Sequence, residues 1–273
     1  MQASIAQAQS NLPKVEATYG QGNKSFKLAT GSPGELGLLQ ELGEVFDKKE
    51  GARLVWIKAG SGASLNLLKT QQVDMIMVHA PEGVNKAIAE GWATGRTLIG
   101  SNEFYIVGPK ADAAKIKTAS SGADAYIKIA KAQANFISRG DKSGTHQKEM
   151  DIWKKAGISP GGNWYIVTND FMTASLKKAN TNKAYFMTDS STWVAEKNVA
   201  PDLQILYRGD PYLVNTYDAL VAPVGATENR DIAANFIQFV ASDEGQAIIR
   251  NYGKAQYKEA LYNDAVYAKQ YVQ

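Results

Sequence analysis

The chain has no cysteine. That excludes disulfides, zinc–thiolate centres and cysteine nucleophiles. It has two histidines, His79 and His146; two are too few to build a metal site alone, and both read as hydrogen-bonded structural residues. No apolar run reaches the roughly 18 residues of a membrane span. Neither sign of charge dominates: 30 Lys and Arg against 27 Asp and Glu leave a net +3, too small an excess to signal a nucleic-acid partner. The basic pairs Lys48–Lys49, Lys154–Lys155 and Lys177–Lys178 sit on polar faces of expected helices and read as solvated surface. There is no G-x-S-x-G nucleophile elbow, no Walker A sequence, no internal repeat and no low-complexity stretch. The aromatic residues are dispersed, which argues against a base-stacking platform.

What is present is an ordinary globular composition, 44% hydrophobic over 273 residues, enough for two domains. Residues 1–23 form a polar lead-in without the positive n-region and apolar stretch of an intact signal peptide. A strand is expected at 26–30, a helix at 35–49, a strand at 54–57, a short helix at 64–71 and a buried strand at 73–78. Small-residue turns (Gly31-Ser32-Pro33-Gly34 and Gly60-Ser61-Gly62-Ala63) separate strand from helix, and His79 follows the third strand. Strand, glycine turn and helix in alternation predict a parallel α/β sheet. In such sheets ligands bind outside the C-terminal strand ends. A further strand is expected at 105–109, and the alternation then restarts, with Asp189 capping a helix at 191–196 and a long helix at 229–240. The expected division is a discontinuous first lobe, 24–107 plus 217–273, and a second lobe, 108–216, joined by two crossing strands that act as a hinge.

The richest local signal is Ser138-Arg139-Gly140-Asp141-Lys142-Ser143-Gly144-Thr145-His146. An expected strand runs through this loop into a helix. A helix start presents free N–H groups and the positive end of a dipole, which attract anions. Arg139 adds a planar fork of donors suited to an oxyanion. Two readings remain open from these residues. In one, Ser143 or Thr145 only caps the helix and Arg139 only pairs with Asp141; in the other, the same groups hold an oxyanion.

The stretch SRGDKSGTHQKEMDIWKKAGI, residues 138–158, resembles the signature region of the tungstate-binding proteins of ABC importers, the TupA-like group. VDMIMVHAPE (73–82), NEFYIVGP (102–109), AYFMTDSSTW (184–193) and GDPYLVNTYDALVAP (209–223) resemble that family's other blocks in the same order. The resemblance implies a type II periplasmic-binding-protein fold: two α/β lobes, each with a mixed, mostly parallel sheet flanked by helices, and a two-strand hinge. It implies a tetrahedral oxyanion, tungstate or molybdate, held by Thr30 and Ser32, by Ser61, Gly62 and Ala63, and by Arg139, Ser143, Gly144 and Thr145. Two blocks depart from the family's usual pattern. Its hydroxyl-rich first turn reads Thr30-Gly31-Ser32-Pro33-Gly34-Glu35 here, and its Gly-Gln-Gly-Met reads Asn169-Asp170-Phe171-Met172.

The function so implied is an exported solute-binding protein, periplasmic or otherwise extracytoplasmic. It is monomeric and not an enzyme, has no cofactor or cation site, and is partnered by the permease subunits of an importer rather than by nucleic acid. The alternatives are the same fold binding another anion or a small carboxylate, a phosphate-handling enzyme using His79, His146 or Asp170 as acid or base, and a regulator's ligand-sensing domain.

Overall fold

The computed structural model describes residues 13–272. Its strands are β1 (Ala17–Tyr19), β2 (Lys24–Thr30), β3 (Ala52–Lys58), β4 (Met75–Val78), β5 (Thr94–Pro109), β6 (Phe136–Ser138), β7 (Tyr165–Val167), β8 (Tyr185–Asp189), β9 (Leu203–Tyr207), β10 (Val214–Val221) and β11 (Asn263–Asp264). The principal helices are α1 (Ser32–Glu35), α2 (Leu38–Glu50), α3 (Ser61–Lys69), α4 (Pro81–Ala89), α5 (Gly122–Ala132), α6 (Gly144–Lys155), α7 (Met172–Thr181), α8 (Ser190–Glu196), α9 (Arg230–Ala241) and α10 (Asp243–Asn251). They form two compact units. The first contains the described residues up to Thr97 together with Asp218–Ser242; the second contains Leu98–Tyr217 and the described residues from Asp243 on.

In the first unit β2 lies between β3 and β4, parallel to both, while β1 adds to β3 and β10 to β4 in antiparallel fashion. The central strands are buried on both faces, which is why 75–78 reads as a continuous apolar run. Helix α2 buries Leu38, Leu39, Leu42 and Phe46. Phe46 packs edge-on to Phe26 of β2 at 5.9 Å and to Phe236 of α9 at 5.1 Å. Each such buried aromatic contributes roughly 1.5–3 kcal/mol. The helix expected at 35–49 is broken: Gly37 takes a left-handed conformation (φ 88°), ends the short α1 and starts α2.

In the second unit β8, β6 and β7 are parallel, and β5 pairs antiparallel with β8 and β9. Its core gathers Tyr126 of α5, Phe136 of β6 and Trp153 of α6, with Trp153 4.3 Å from Tyr126 and 5.3 Å from Phe136. Asp189 caps α8, accepting from Thr192 N at 2.8 Å, as the sequence implied.

Two boundaries differ from expectation. The strand placed at 105–109 extends from 94 to 109, and the chain passes between units within it, at Thr97–Leu98. The C-terminal stretch, expected in the first lobe, packs with the second unit. There β11 pairs with β5 at Ser101 and Gly100, Gln246 Nε2 donates to Ile99 O at 3.1 Å, and Ser191 Oγ donates to Leu261 O at 2.6 Å. The lead-in to residue 23 was read without a strand. Its first twelve residues lie outside those described, and its remainder includes β1, whose partner is β3.

Candidate functional site

The first unit brings its three strand-end turns together. Ala59 N donates to Thr30 O (3.1 Å), Thr30 Oγ1 donates to Met77 O (2.9 Å), and His79 N donates to Ser61 Oγ (3.2 Å). These bonds tie the ends of β2, β3 and β4 side by side. They also assign the hydroxyl protons. Thr30 is 1% exposed and its proton is engaged with Met77, so here Thr30 locks β2 to β4. Ser61 is 4% exposed and acts as acceptor toward His79, which leaves its own O–H to donate. The N–H groups of Ser61, Gly62 and Ala63 form the first turn of α3, where an α-helix has no internal acceptors for them. The residues read as a turn before a helix are thus the helix start itself. Ser32 opens α1, and Pro33 behind it has no N–H to offer. Glu35 is spoken for by Lys58, 2.7 Å away.

The second unit builds the richer constellation. Strand β6 ends at Ser138, and Arg139 follows with only 4% of its surface exposed. Gly140 turns the chain with φ +67°, and a Cβ there would lie 2.2 Å from Val167 Cγ1. Only glycine fits, on both counts. The loop folds back on itself: Asp141 Oδ2 meets Arg139 Nη2 at 2.5 Å while Asp141 Oδ1 accepts from Ser143 N at 3.1 Å. Arg139 Nε donates to Asp170 O at 3.0 Å, and its guanidinium carbon lies 5.6 Å from the centre of the Phe171 ring. Nη1 has no hydrogen-bond partner among the described residues.

Ser143 is the N-cap of α6, in extended conformation, and its Oγ accepts from His146 N at 3.3 Å. As with Ser61, an accepting hydroxyl keeps its own proton free. Gln147 N bonds Ser143 O. The N–H groups of Gly144 and Thr145 are left without an internal acceptor. Thr145 is 2% exposed and does not cap; its hydroxyl has no partner among the described residues. The capping and pairing reading holds, since Ser143 caps and Arg139 pairs with Asp141, and a set of donors remains unspent beside it.

Two further residues sit beneath the loop. His146 Nδ1 accepts from Lys142 N at 3.0 Å, and burial lowers its pKa, so it is held neutral. Glu149, one turn into α6, is 2% exposed. It accepts from Tyr165 Oη at 2.6 Å and Trp153 Nε1 at 3.2 Å, and burial raises its pKa to about 7. The contacts of Arg139 with Asp170 and Phe171, and the buried setting of Glu149, are features of the candidate site that the sequence reading missed. The first depends on a side-chain bond to a backbone carbonyl 31 positions away; the second had a signal in the spacing of Glu149 and Trp153 on one helix face. The grouping as a whole offers donors: a guanidinium edge, hydroxyls and helix-start amides. Such a set suits an anion that only accepts.

Residues 13–244 match the family model of the PBP superfamily domain. The tungstate-binding protein TupA of Peptoclostridium acidaminophilum is 32% identical over 263 residues, covering 94% of this chain and 91% of that one. Among solved structures, that of the tungstate ABC transporter from Geobacter sulfurreducens is 37% identical with a TM-score of 0.76, covering 85% of this chain and 100% of the other. The tungstate-binding protein TupA from Desulfovibrio alaskensis G20 is 33% identical with a TM-score of 0.73, covering 88% and 98%. The mixed sheets flanked by helices are those of the type II periplasmic-binding fold. This chain belongs to the PBP superfamily and, within it, to the family of TupA tungstate-binding proteins.

Proposed function

We propose that this chain is an extracytoplasmic solute-binding protein that captures a tetrahedral oxyanion, tungstate or its near-isostere molybdate, for the permease subunits of an ABC importer. The observation that carries this reading is the buried Arg139, whose Nη1 has no partner among the described residues, beside the unspent amides of Gly144 and Thr145 at the start of α6. A buried cation with spare donors is costly unless an acceptor completes it. Tungstate at neutral pH is fully deprotonated and only accepts. Phosphate carries protons that need an acceptor, and both Asp141 oxygens are already engaged by Arg139 and by Ser143 N.

In the first unit, Ser32, Ser61, Gly62 and Ala63 supply hydroxyl and helix-start donors of the same kind, suited to the same oxyanion. Thr30 acts behind this surface, through its bond to Met77. The protein works as a monomer in the periplasm or its equivalent, without cofactor or catalysis; His146 is engaged at Nδ1 by Lys142 N.

Calorimetric titration with tungstate, molybdate, sulfate and phosphate tests the reading. One-to-one binding of tungstate is expected, with phosphate weaker by at least about tenfold, the equivalent of one unmatched polar contact; sulfate, which like tungstate only accepts, serves as the probe of anion size. Absence of tungstate binding, or phosphate bound equally well, contradicts it. Release of phosphate or sulfate from esterified substrates would favour an enzyme.

A further inference from the structure

Arg139 has five N–H bonds to place, and the second unit fixes where each can go. Nε is committed to the carbonyl of Asp170 at 3.0 Å, and Nη2 meets the carboxylate of Asp141 at 2.5 Å. The guanidinium carbon lies over the half-buried ring of Phe171, 5.6 Å from its centre. What remains is the Nη1 edge and the second N–H of Nη2. Asp170 and Phe171 come from one segment, the residue before the N-cap and the N-cap of α7. That segment is anchored separately: Lys178 pairs with the Asp170 carboxylate at 2.7 Å, and Ser175 Oγ bonds Asp170 O at 3.3 Å.

We infer that Phe171 is a positioning residue for the oxyanion site, holding the Arg139 guanidinium in the one plane that presents Nη1 to the ligand. This rests on the oxyanion reading above. A ring against a cation attracts it and excludes water from that face. Without the ring, a guanidinium on a flexible stem turns toward solvent or swings fully onto Asp141, and its Nη1 donor no longer waits in place. Preorganisation of this kind sets affinity without adding a contact to the ligand.

The test uses the full chain and four variants: F171L, F171Y, R139Q and R139Q/F171L. F171L keeps an apolar side chain but loses the π face, so tungstate affinity is expected to fall about 2- to 30-fold. F171Y keeps the face and is expected to stay within about threefold of wild type. In the R139Q background F171L is expected to cost nothing further, since Phe171 acts only through Arg139. A second readout needs no ligand: in nitrogen-15 NMR spectra of the anion-free protein, the Arg139 Nε–H is slow to exchange in wild type and F171Y and fast in F171L. Wild-type Nε–H protection in F171L, or an equal loss of affinity from F171L with and without Arg139, overturns the inference. If wild type binds no tungstate, the oxyanion reading fails separately, and the Nε–H measurement still decides the role of Phe171.

Discussion

Replacing Arg139 by glutamine separates the two jobs of that side chain. In the proposed site it would supply the free Nη1 donor and a full charge to the anion. A hydrogen bond from a charged group is worth about 1.5–3 kcal/mol, so tungstate affinity should fall about 10- to 150-fold. In the fold it bonds Asp170 O through Nε and holds the Asp141 carboxylate through Nη2. The Arg139 side chain is 5% exposed and that of Asp141 20%. R139Q therefore leaves a partly buried carboxylate unpaired, at a cost of about 1–3 kcal/mol, and lowers the melting temperature by several degrees. The double variant R139Q/D141N removes the stranded charge and should recover most of the thermal loss while leaving tungstate affinity weak. Differential scanning calorimetry and titration calorimetry on the same samples read the two effects independently. Recovery of affinity in R139Q/D141N would refute the reasoning, because it would mean that Arg139 serves only to neutralise Asp141.

The structure makes three other expectations concrete. Ser143→Ala loses the α6 cap, lowering stability by about 1 kcal/mol along with affinity, whereas Thr145→Ala lowers affinity with the cap intact; paired melting and titration curves distinguish them. Gly140→Ala places a Cβ 2.2 Å from Val167 Cγ1 at a positive φ, and should destabilise the second unit by more than about 1 kcal/mol, read by denaturant unfolding. Glu149 is protonated more readily when folded than unfolded, its pKa raised from 4.5 to about 7. Its contribution to stability is then full below pH 4.5 and lost as pH rises through about 7, a change of the order of 3 kcal/mol; Glu149→Gln should flatten that part of the stability–pH curve.

Much of the first unit was legible because its strands are buried on both faces. The run Val73 to Val78 has no polar residue but Asp74, and the turns after β2 and β3 carry their glycines in plain view. What escaped were elements defined by their neighbours. β1 and β7 have three residues each, and β7 exposes Val167 to 49%; only pairing with β3 and β6 makes them strands. The alternation of Val15, Ala17 and Tyr19 was a faint signal for the first. Gly37 was read inside a helix because nothing local distinguishes a glycine that continues a helix from one that breaks it. The allegiance of the C-terminal stretch rests on the two-residue strand β11 and on single hydrogen bonds from Gln246 and to Leu261, which no periodicity can announce.

The site was legible in a similar proportion. The loop from Arg139 to Thr145 declared itself through residue type and spacing, and Arg139, Ser143, Gly144 and Thr145 all lie at one strand-to-helix junction. The sequence left open whether Ser143 or Thr145 capped the helix; hydrogen-bond geometry assigns the cap to Ser143. Thr30 looked like a donor to the ligand because hydroxyl type says nothing about where the proton goes, and here it goes to Met77 O. Phe171 was visible only as a departure from a family pattern; its contact with Arg139 is a product of the tertiary fold.

The most direct test of the account is to crystallise the protein with tungstate and collect diffraction at a tungsten absorption edge, where the metal's anomalous signal locates the ligand without interpretation. The account predicts one tungsten site, its oxygens within hydrogen-bond distance of Arg139 Nη1 and of the Gly144 and Thr145 amides. Tungsten bound elsewhere, or no ordered tungsten at saturating tungstate, would contradict it.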